Sequence, residues 1–276
     1  MARNLILSII MLMSMICSAK NDTDTLRKRR KVVETDIVAA FLTDIGIRNS
    51  AAAALSYSPI ISLDFRNDFL LKDLMYKSIS AQIGISDNHL TFNIMHYGYP
   101  KYGEYRIAAG YSRIFGKKFA LGMNFFYIGN HAQNYGVEHS ITLDITIYCN
   151  ITKRIGFGAR AFNPVHLKYG ISGEGAPPLP MIFNIDFHYK ISRGILVFIF
   201  AEKEIGGALR IGVGGTYSPH RIFRISMYAA FPTPEAEIRT LFCWNHIEFG
   251  AGVTWKPNLG ITPCLTLNFP LKKNKR

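Results

Sequence analysis

The chain lacks any internal apolar run long enough to cross a membrane as a helix. Such a helix needs about 20 consecutive apolar residues, and beyond the N terminus no stretch approaches that length. Charge is also sparse, since charged residues make up 18% of the chain and apolar residues 49%. A helical membrane protein is therefore not expected. A length of 276 residues suits one large all-β unit or two small domains.

Cysteine and metal-binding patterns are equally scarce. Cys149, Cys243 and Cys264 lie inside strand-like patterns without CxxC spacing, which argues against a disulfide framework and a zinc site. The eight histidines show no HExxH or similar spacing. Ser172 lacks the second glycine and the strand-to-helix turn of a nucleophile elbow, because Glu174 occupies that position. We therefore predict no catalytic residue, no metal and no cofactor, and we do not expect an enzyme.

The N terminus has the pattern of a secretory signal peptide. Arg3 precedes an apolar run from Leu5 to Cys17, and the small residues Ser18 and Ala19 follow. A basic start, a short apolar core and a small-residue exit predict Sec-dependent export with cleavage after Ser18 or Ala19. A buried first helix or strand is the alternative.

The net charge of +13 could suggest a nucleic-acid partner. The basic residues, however, lie mainly at 27–31, in short turns and in a tail at 272–276. That distribution is typical of solvated ends and turns, so we predict no nucleic-acid binding.

Alternation with a period of two is the dominant pattern of the chain. From Tyr105 to Tyr111 and from Phe119 to Tyr127 the odd positions are mostly apolar, and Ile141 to Cys149 continues the same phase. The even positions are mostly Gly, Ser, Thr, Asn and Ala with few charges. In a soluble sheet the polar face would be rich in Lys and Glu, whereas a membrane barrel turns its apolar face outward. The pattern favours the barrel, although soluble β-sandwiches also alternate.

The same reasoning along the chain predicts a transmembrane, antiparallel, up-and-down β-barrel of 12 to 14 strands. The interval from Ile238 to Trp255 could be one long strand or two, and we split it because an even count places both termini on the same side. The fourteen predicted strands are Ile60–Phe65, Leu74–Ile85, Leu90–Met95, Glu104–Phe115, Phe119–Ile128, Ser140–Thr152, Ile155–Phe162, Ile182–Ile191, Ile195–Phe200, Ala208–Tyr217, Ile222–Phe231, Arg239–Cys243, Ile247–Trp255 and Ile261–Phe269.

The connections predict two different rims. Short polar turns follow the strand-end aromatic residues Tyr111, Tyr148, Tyr189, Tyr217 and Trp255, which also fit an interfacial aromatic girdle. These turns should lie on one rim. Longer loops are predicted on the other rim, at 129–138, 164–179, 201–207 and 232–237.

The segment ahead of the first strand predicts a plug or a linker. The chain is polar from Lys20 to Glu34, whereas Asp36 to Ser58 is partly helical in pattern. That second stretch could lie across or inside the barrel mouth. The predicted organisation is a signal peptide (1–19), a leader with a candidate plug (20–58), the barrel (59–271) and a basic tail (272–276).

A set of charged residues occupies the polar phase and would face the lumen. Charges of both signs inside a barrel usually pair into a structural network, and they can also tune what passes. The candidate lumen residues are Arg106, Asp144, Arg160, Asp186, His188, Arg210, Arg224 and Glu248.

The tract from Tyr102 to Ile128 resembles the strand hairpins of the PorV/PorQ-type outer-membrane proteins of Bacteroidetes, which are relatives of the FadL long-chain fatty-acid transporters. It reads Tyr-Gly-Glu-Tyr, then Ala-Ala-Gly-Tyr-Ser-Arg, then Phe-Gly-Lys-Lys-Phe-Ala-Leu-Gly-Met-Asn. The alanine-rich stretch from Asn49 to Leu55 is similar to the segment ahead of the family's first strand. Two features depart from the family: the chain is shorter than typical members, and a basic tail follows Phe269.

The resemblance implies a 14-stranded barrel with an N-terminal plug and no catalytic residue. It further implies a bacterial outer-membrane location and either a secretion-associated or structural role, as in type IX secretion, or a FadL-like channel for small hydrophobic molecules. The expected partners are outer-membrane lipid and either secretion components or a hydrophobic ligand, with the oligomeric state left open. A soluble or surface-bound β-protein is the alternative from another class.

Overall fold

The computed structural model describes residues 49–55, 60–116, 118–134, 136–167, 179–220, 222–244, 247–257 and 259–270. The predicted signal peptide, the leader, most of the candidate plug and the basic tail lie outside these ranges. Fourteen strands form a closed barrel in which each strand pairs antiparallel with the next and the last pairs with the first. This confirms the predicted fold class and the count of fourteen.

Among the described residues, one short helix precedes the strands and a 3-10 turn follows the first of them. The helix, α1, spans Ser50–Leu55, and the turn spans Asp68–Leu70. The strands are β1 (Ile60–Asn67), β2 (Met75–Ile85), β3 (Asn88–Tyr99), β4 (Tyr102–Phe115), β5 (Phe119–Ala132), β6 (Gly136–Asn150), β7 (Ile155–Phe162), β8 (Ile182–Lys190), β9 (Ile195–Glu204), β10 (Leu209–His220), β11 (Phe223–Phe231), β12 (Glu235–Trp244), β13 (Ile247–Lys256) and β14 (Gly260–Pro270).

The apolar face of the strands points outward. Ile107, Phe125 and Ile145 belong to the odd phase of β4, β5 and β6, and each is more than 40% exposed. Their even-phase neighbours Thr146 and Asp144 are fully buried inside the barrel. Because an exposed apolar surface around a whole barrel has no favourable contact with water, this arrangement suits a lipid-facing belt.

The two rims carry different connections. The terminal rim is the one that holds the start of β1 at Ile60 and the end of β14 at Pro270, together with the even-to-odd turns such as 86–87 and 151–154. The opposite rim holds the odd-to-even connections, of which 163–181 is the longest.

The predicted difference in loop length between the rims is smaller in the structure. Strands β5, β6, β9 and β12 extend through much of the predicted loops, which leaves connections of only 133–135, 205–208 and 232–234. The turn after Trp255 was predicted on the rim of short turns, but β13 ends and β14 begins at the opposite rim. That prediction was wrong because residues 238–255 contribute to two strands, β12 and β13. The extra strand reverses the direction of the chain, so the turn after Trp255 lies at the opposite rim.

The aromatic strand ends also divide between two faces. Tyr111, Tyr189, Tyr217 and Trp255 are exposed on the outer surface, as a girdle requires. Tyr148 belongs to the even phase of β6, so its ring is fully buried in the lumen. Its assignment to the girdle was therefore wrong.

Helix α1 lies inside the barrel near the terminal rim. Ala51, Ala52 and Ala54 are fully buried and pack with Tyr148 of β6 and Leu196 of β9. The helix itself lies against strands β3 to β6 of the wall. Within the part of the chain that the structure describes, no helix is long and apolar enough to span a membrane.

Candidate functional site

Hydrogen bonds and close packing hold helix α1 against β5 and β6. The Thr146 Oγ1 atom accepts a hydrogen bond from the Ala51 backbone N at 3.2 Å and lies 3.0 Å from the Ser50 Oγ atom. Gly122 lies beneath this contact, and a Cβ atom there would stand 2.6 Å from Thr146 Oγ1 and 3.0 Å from Ala51 N. The absence of a side chain at Gly122 is thus what lets the helix approach the wall.

A second apolar cluster fills the same side of the lumen closer to the opposite rim. Phe126 and Phe162 meet edge to face with ring centroids 5.4 Å apart, and the buried Leu179 packs with them. The Asn163 side chain donates to the Leu179 carbonyl at 2.9 Å and accepts from Thr142 at 3.0 Å. These bonds hold both described ends of the β7–β8 connection against the lumen side of β6.

A cavity of about 740 Å³ lies on the other side of the lumen. Its walls come mainly from β7 to β13, and Asn49 at the start of α1 borders it. Ligand pockets typically occupy roughly 300–1,000 Å³. The cavity is therefore large enough for a small organic molecule.

Aromatic rings form one wall of the cavity. Phe198 and Phe200 point inward from β9, and the Tyr228 ring meets Phe200 edge to face at 6.0 Å. Both phenyl rings lie over glycines of β10: a Cβ at Gly214 would stand 2.5 Å from the Phe198 ring, and one at Gly212 would also collide with Phe200. The two glycines make room for an apolar surface on this side of the lumen.

Paired charges line the cavity toward the opposite rim. Arg210 contacts Glu235 at 3.1 Å and Glu202 at 3.6 Å, and its guanidinium also lies over Phe200 at 5.5 Å. Lys256 contacts Glu235 at 3.3 Å. The same pattern continues where Arg239 contacts Glu237 at 3.0 Å. These pairs neutralise one another, so the mouth of the cavity is polar without a dominant sign.

A buried ion pair lies deeper, between β6 and β7. Arg160 Nε donates to Asp144 Oδ2 at 2.7 Å, and Asn124 Nδ2 donates to Asp144 Oδ1 at 2.7 Å. Asp144 is fully buried, so its charge needs these donors. The structure thus brings together two of the predicted lumen residues, Asp144 and Arg160.

The other predicted lumen residues do not form one network. His188 stacks on Tyr148, whose hydroxyl lies 3.1 Å from the His188 Nδ1 atom. Glu248 accepts from Asn268 at 3.1 Å on the β13–β14 side. Arg106 and Arg224 are half-buried on β4 and β11 and do not line the cavity. Asp186 and Arg210 do line it.

Sequence reasoning missed several cavity residues. Glu202 lay beyond the predicted end of β9, and Glu235 and Glu237 were assigned to a loop. The alternation Glu235, Glu237, Arg239 and Leu241 could have revealed that β12 begins earlier. Phe198 gave no usable signal, because both faces of β9 are apolar.

The arrangement can bind an apolar body on the aromatic wall while polar groups stay near the mouth. Across the described strands and loops, no group of three or more His, Cys, Asp or Glu side chains could hold a metal ion.

Comparison with known proteins supports the fold. No protein-family model matches the chain, and no curated protein matches it either. Among solved structures, the CymD monoaromatic hydrocarbon channel has a TM-score of 0.61 at 9% identity and covers 84% of this chain and 94% of its own. The toluene transporter TodX of Pseudomonas putida has a TM-score of 0.59 at 8% identity, and the match covers 81% of this chain and 91% of TodX. A FadL homologue of Pseudomonas aeruginosa has a TM-score of 0.58 at 9% identity, covering 83% and 94%.

These similarities agree in fold with the FadL-like part of the sequence resemblance. At such low identity they establish the barrel architecture alone.

Proposed function

We propose that the chain is an outer-membrane channel for small hydrophobic molecules, with helix α1 as a plug and without catalytic activity. The observation that carries the proposal is the cavity of about 740 Å³ with its wall of Phe198, Phe200 and Tyr228, inside a barrel whose terminal end holds a buried helix. An apolar wall in a lumen binds apolar molecules because burial of their surface is favourable.

The exposed apolar belt supports the membrane location. Ile107, Phe125 and Ile145 would face lipid, and their burial in hydrocarbon removes the cost of exposing them to water. The structural neighbours named as hydrocarbon channels support the choice of a hydrophobic cargo.

The contacts of helix α1 support a plug that can be displaced. Hydrogen bonds attach the helix to the wall: Ser50 and Ala51 bond to the Thr146 hydroxyl, and the Asn49 side chain donates to the Ile147 carbonyl. A few hydrogen bonds of about 0.5–1.5 kcal/mol each can be exchanged for water or for a ligand without unfolding the barrel.

The test uses cells that lack their own hydrocarbon channels. We expect cells that express the chain to take up radiolabelled toluene several times faster than cells with an empty vector. Deletion of residues 49–55 should in addition admit nitrocefin, a polar chromogenic probe that is hydrolysed in the periplasm, because the deletion removes α1 from the lumen.

The matched control deletes an equal number of residues, 22–28, from the leader and should leave nitrocefin entry unchanged. Heat-modifiable migration checks that each variant is a folded barrel. Toluene uptake equal to that of the empty vector contradicts the channel, and nitrocefin entry unaffected by the loss of α1 contradicts the plug.

The narrower secretion role stays a prediction of the PorV/PorQ resemblance, which rests on the β4–β5 hairpin sequence and on the alanine-rich stretch from Asn49 to Leu55. The cavity favours the channel, because a structural component needs no aromatic wall in its lumen. Deletion of the gene followed by an assay of type IX cargo export tests the secretion role directly.

A further inference from the structure

Asp186 is a buried acidic residue that borders the cavity. It belongs to β8, where its cross-strand neighbours are Gly158 of β7 and Phe200 of β9. Its exposed fraction is 6%, and it lines the cavity beside the aromatic wall. A Cβ atom at Gly158 would collide with the Asp186 Oδ1 atom. The absence of a side chain at Gly158 therefore lets the carboxylate lie against the β7 backbone.

Among the described residues, the Asp186 carboxylate has no hydrogen-bond or ion-pair partner. Its Oδ2 atom is buried and accepts no hydrogen bond. A buried carboxylate without a partner is costly, so native structures rarely keep one without a reason.

The positive charges of the cavity are already engaged with other carboxylates. Arg160 contacts Asp144 at 2.7 Å, Arg210 and Lys256 contact Glu235, and Arg239 contacts Glu237 at 3.0 Å. The remaining cation of the lining is held in the same way, since Arg66 contacts Asp68 at 2.7 Å. Asp186 therefore adds a negative charge that no neighbouring side chain neutralises.

We propose that the cavity binds small organic amines, with the ammonium group at Asp186 and the apolar body against Phe198 and Phe200. Aromatic faces also attract cations, so the rings beside Asp186 add to the recognition of the charged end. This inference deepens the proposed channel function, on which it rests for passage but not for binding.

Binding to purified full-length protein in lipid nanodiscs tests the inference by calorimetry near neutral pH. The probes are 2-phenylethylamine, 2-phenylethanol and 3-phenylpropionate, which share a phenyl body and differ in charge. We expect the amine to bind at least about tenfold more tightly than the alcohol, and the carboxylate to bind more weakly than both. Equal affinity for amine and alcohol would mean that water alone hydrates Asp186, and it would overturn the inference.

Asp186→Asn should abolish the preference for the amine and leave affinity for the alcohol unchanged. The matched control is Asp64→Asn, because Asp64 also faces the lumen but accepts hydrogen bonds from Thr266 and Ser78 and does not line the cavity. A preference for the amine that survives Asp186→Asn contradicts the inference, as does a preference lost equally in both variants.

The amine site and the channel can fail separately. If toluene uptake fails while the amine preference holds, the channel is wrong and the binding site stands. If toluene is taken up but the amine is not preferred, the channel stands and the amine site is wrong.

Discussion

At the scale of single residues, the barrel depends on a few buried polar contacts in its lumen. Asp144 is the clearest, because a fully buried carboxylate receives hydrogen bonds from both Arg160 and Asn124. Removal of one partner of a buried ion pair leaves an uncompensated charge.

Asp144→Ala should lower the free energy of unfolding by about 3–5 kcal/mol. The control Asp68→Ala should cost no more than about 1 kcal/mol, since Arg66 is 42% exposed in that pair. Urea titration of the barrel in lipid vesicles measures both. If the double variant Asp144→Asn with Arg160→Gln is as unstable as Asp144→Ala, the cost does not arise from an unpaired charge.

The lumen side of β6 is polar in sequence, but it is not open space. Thr146 is instead fully buried beneath α1, and Thr142 is bonded to Asn163, so an arginine at either position would collide with the packing. Alternation predicts which face a residue occupies, but it does not predict what fills the space opposite.

At the scale of elements, the contact between α1 and β5 depends on Gly122. We expect Gly122→Ala to cost about 1–3 kcal/mol, because the added methyl group would overlap Ser50, Ala51 and Thr146. Urea titration measures the loss.

Gly129→Ala on the same strand is the control, since a Cβ there would meet nothing closer than 3.8 Å. The nearest atom to the Gly122 Cβ would be Ser50 Oγ, so adding Ser50→Gly should recover part of the lost stability. Equal costs for the two glycine variants would contradict the close approach of the helix.

The strands could be predicted from sequence because their alternation is local and repeats in phase. β7 was predicted with its observed bounds, Ile155–Phe162, and the phase of β4 to β6 gave the outward face correctly. β9 could not be oriented, because Phe198 faces inward and Ile199 outward and both are apolar. Only pairing with β8 and β10 decides its faces, and such pairing depends on residues distant in sequence.

At the scale of the whole molecule, the outer surface distinguishes a membrane barrel from a soluble one. Ile199 lies in the middle of β9 and is 49% exposed on the outside. In lipid, Ile199→Arg should cost about 2–4 kcal/mol. On a soluble barrel the same exposed change should stay within about 0.5 kcal/mol.

The lumen control is Thr254→Arg, because Thr254 faces the cavity and donates to the Glu237 carboxylate at 3.0 Å. An arginine there would lie beside the Glu237 carboxylate and could extend into the cavity. We therefore expect it to lower the free energy of unfolding by less than Ile199→Arg does. Folding titrations in vesicles compare the two variants. A larger loss at Thr254 would contradict the assignment of inner and outer faces.

The most direct test of the central claim, that the apolar outer face lies in lipid and the cavity does not, is lipid-phase quenching. The four native cysteines are first replaced, and a single cysteine is then placed at Ile199 in one variant and at Ser226 in another. Each cysteine is labelled with an environment-sensitive fluorophore, and the protein is folded into vesicles with brominated lipid tails. Ser226 lines the cavity, so its fluorophore should keep its emission, whereas the fluorophore at Ile199 should be strongly quenched. Emission at Ile199 that is unaffected by brominated lipid, or quenching stronger at Ser226, would contradict the account.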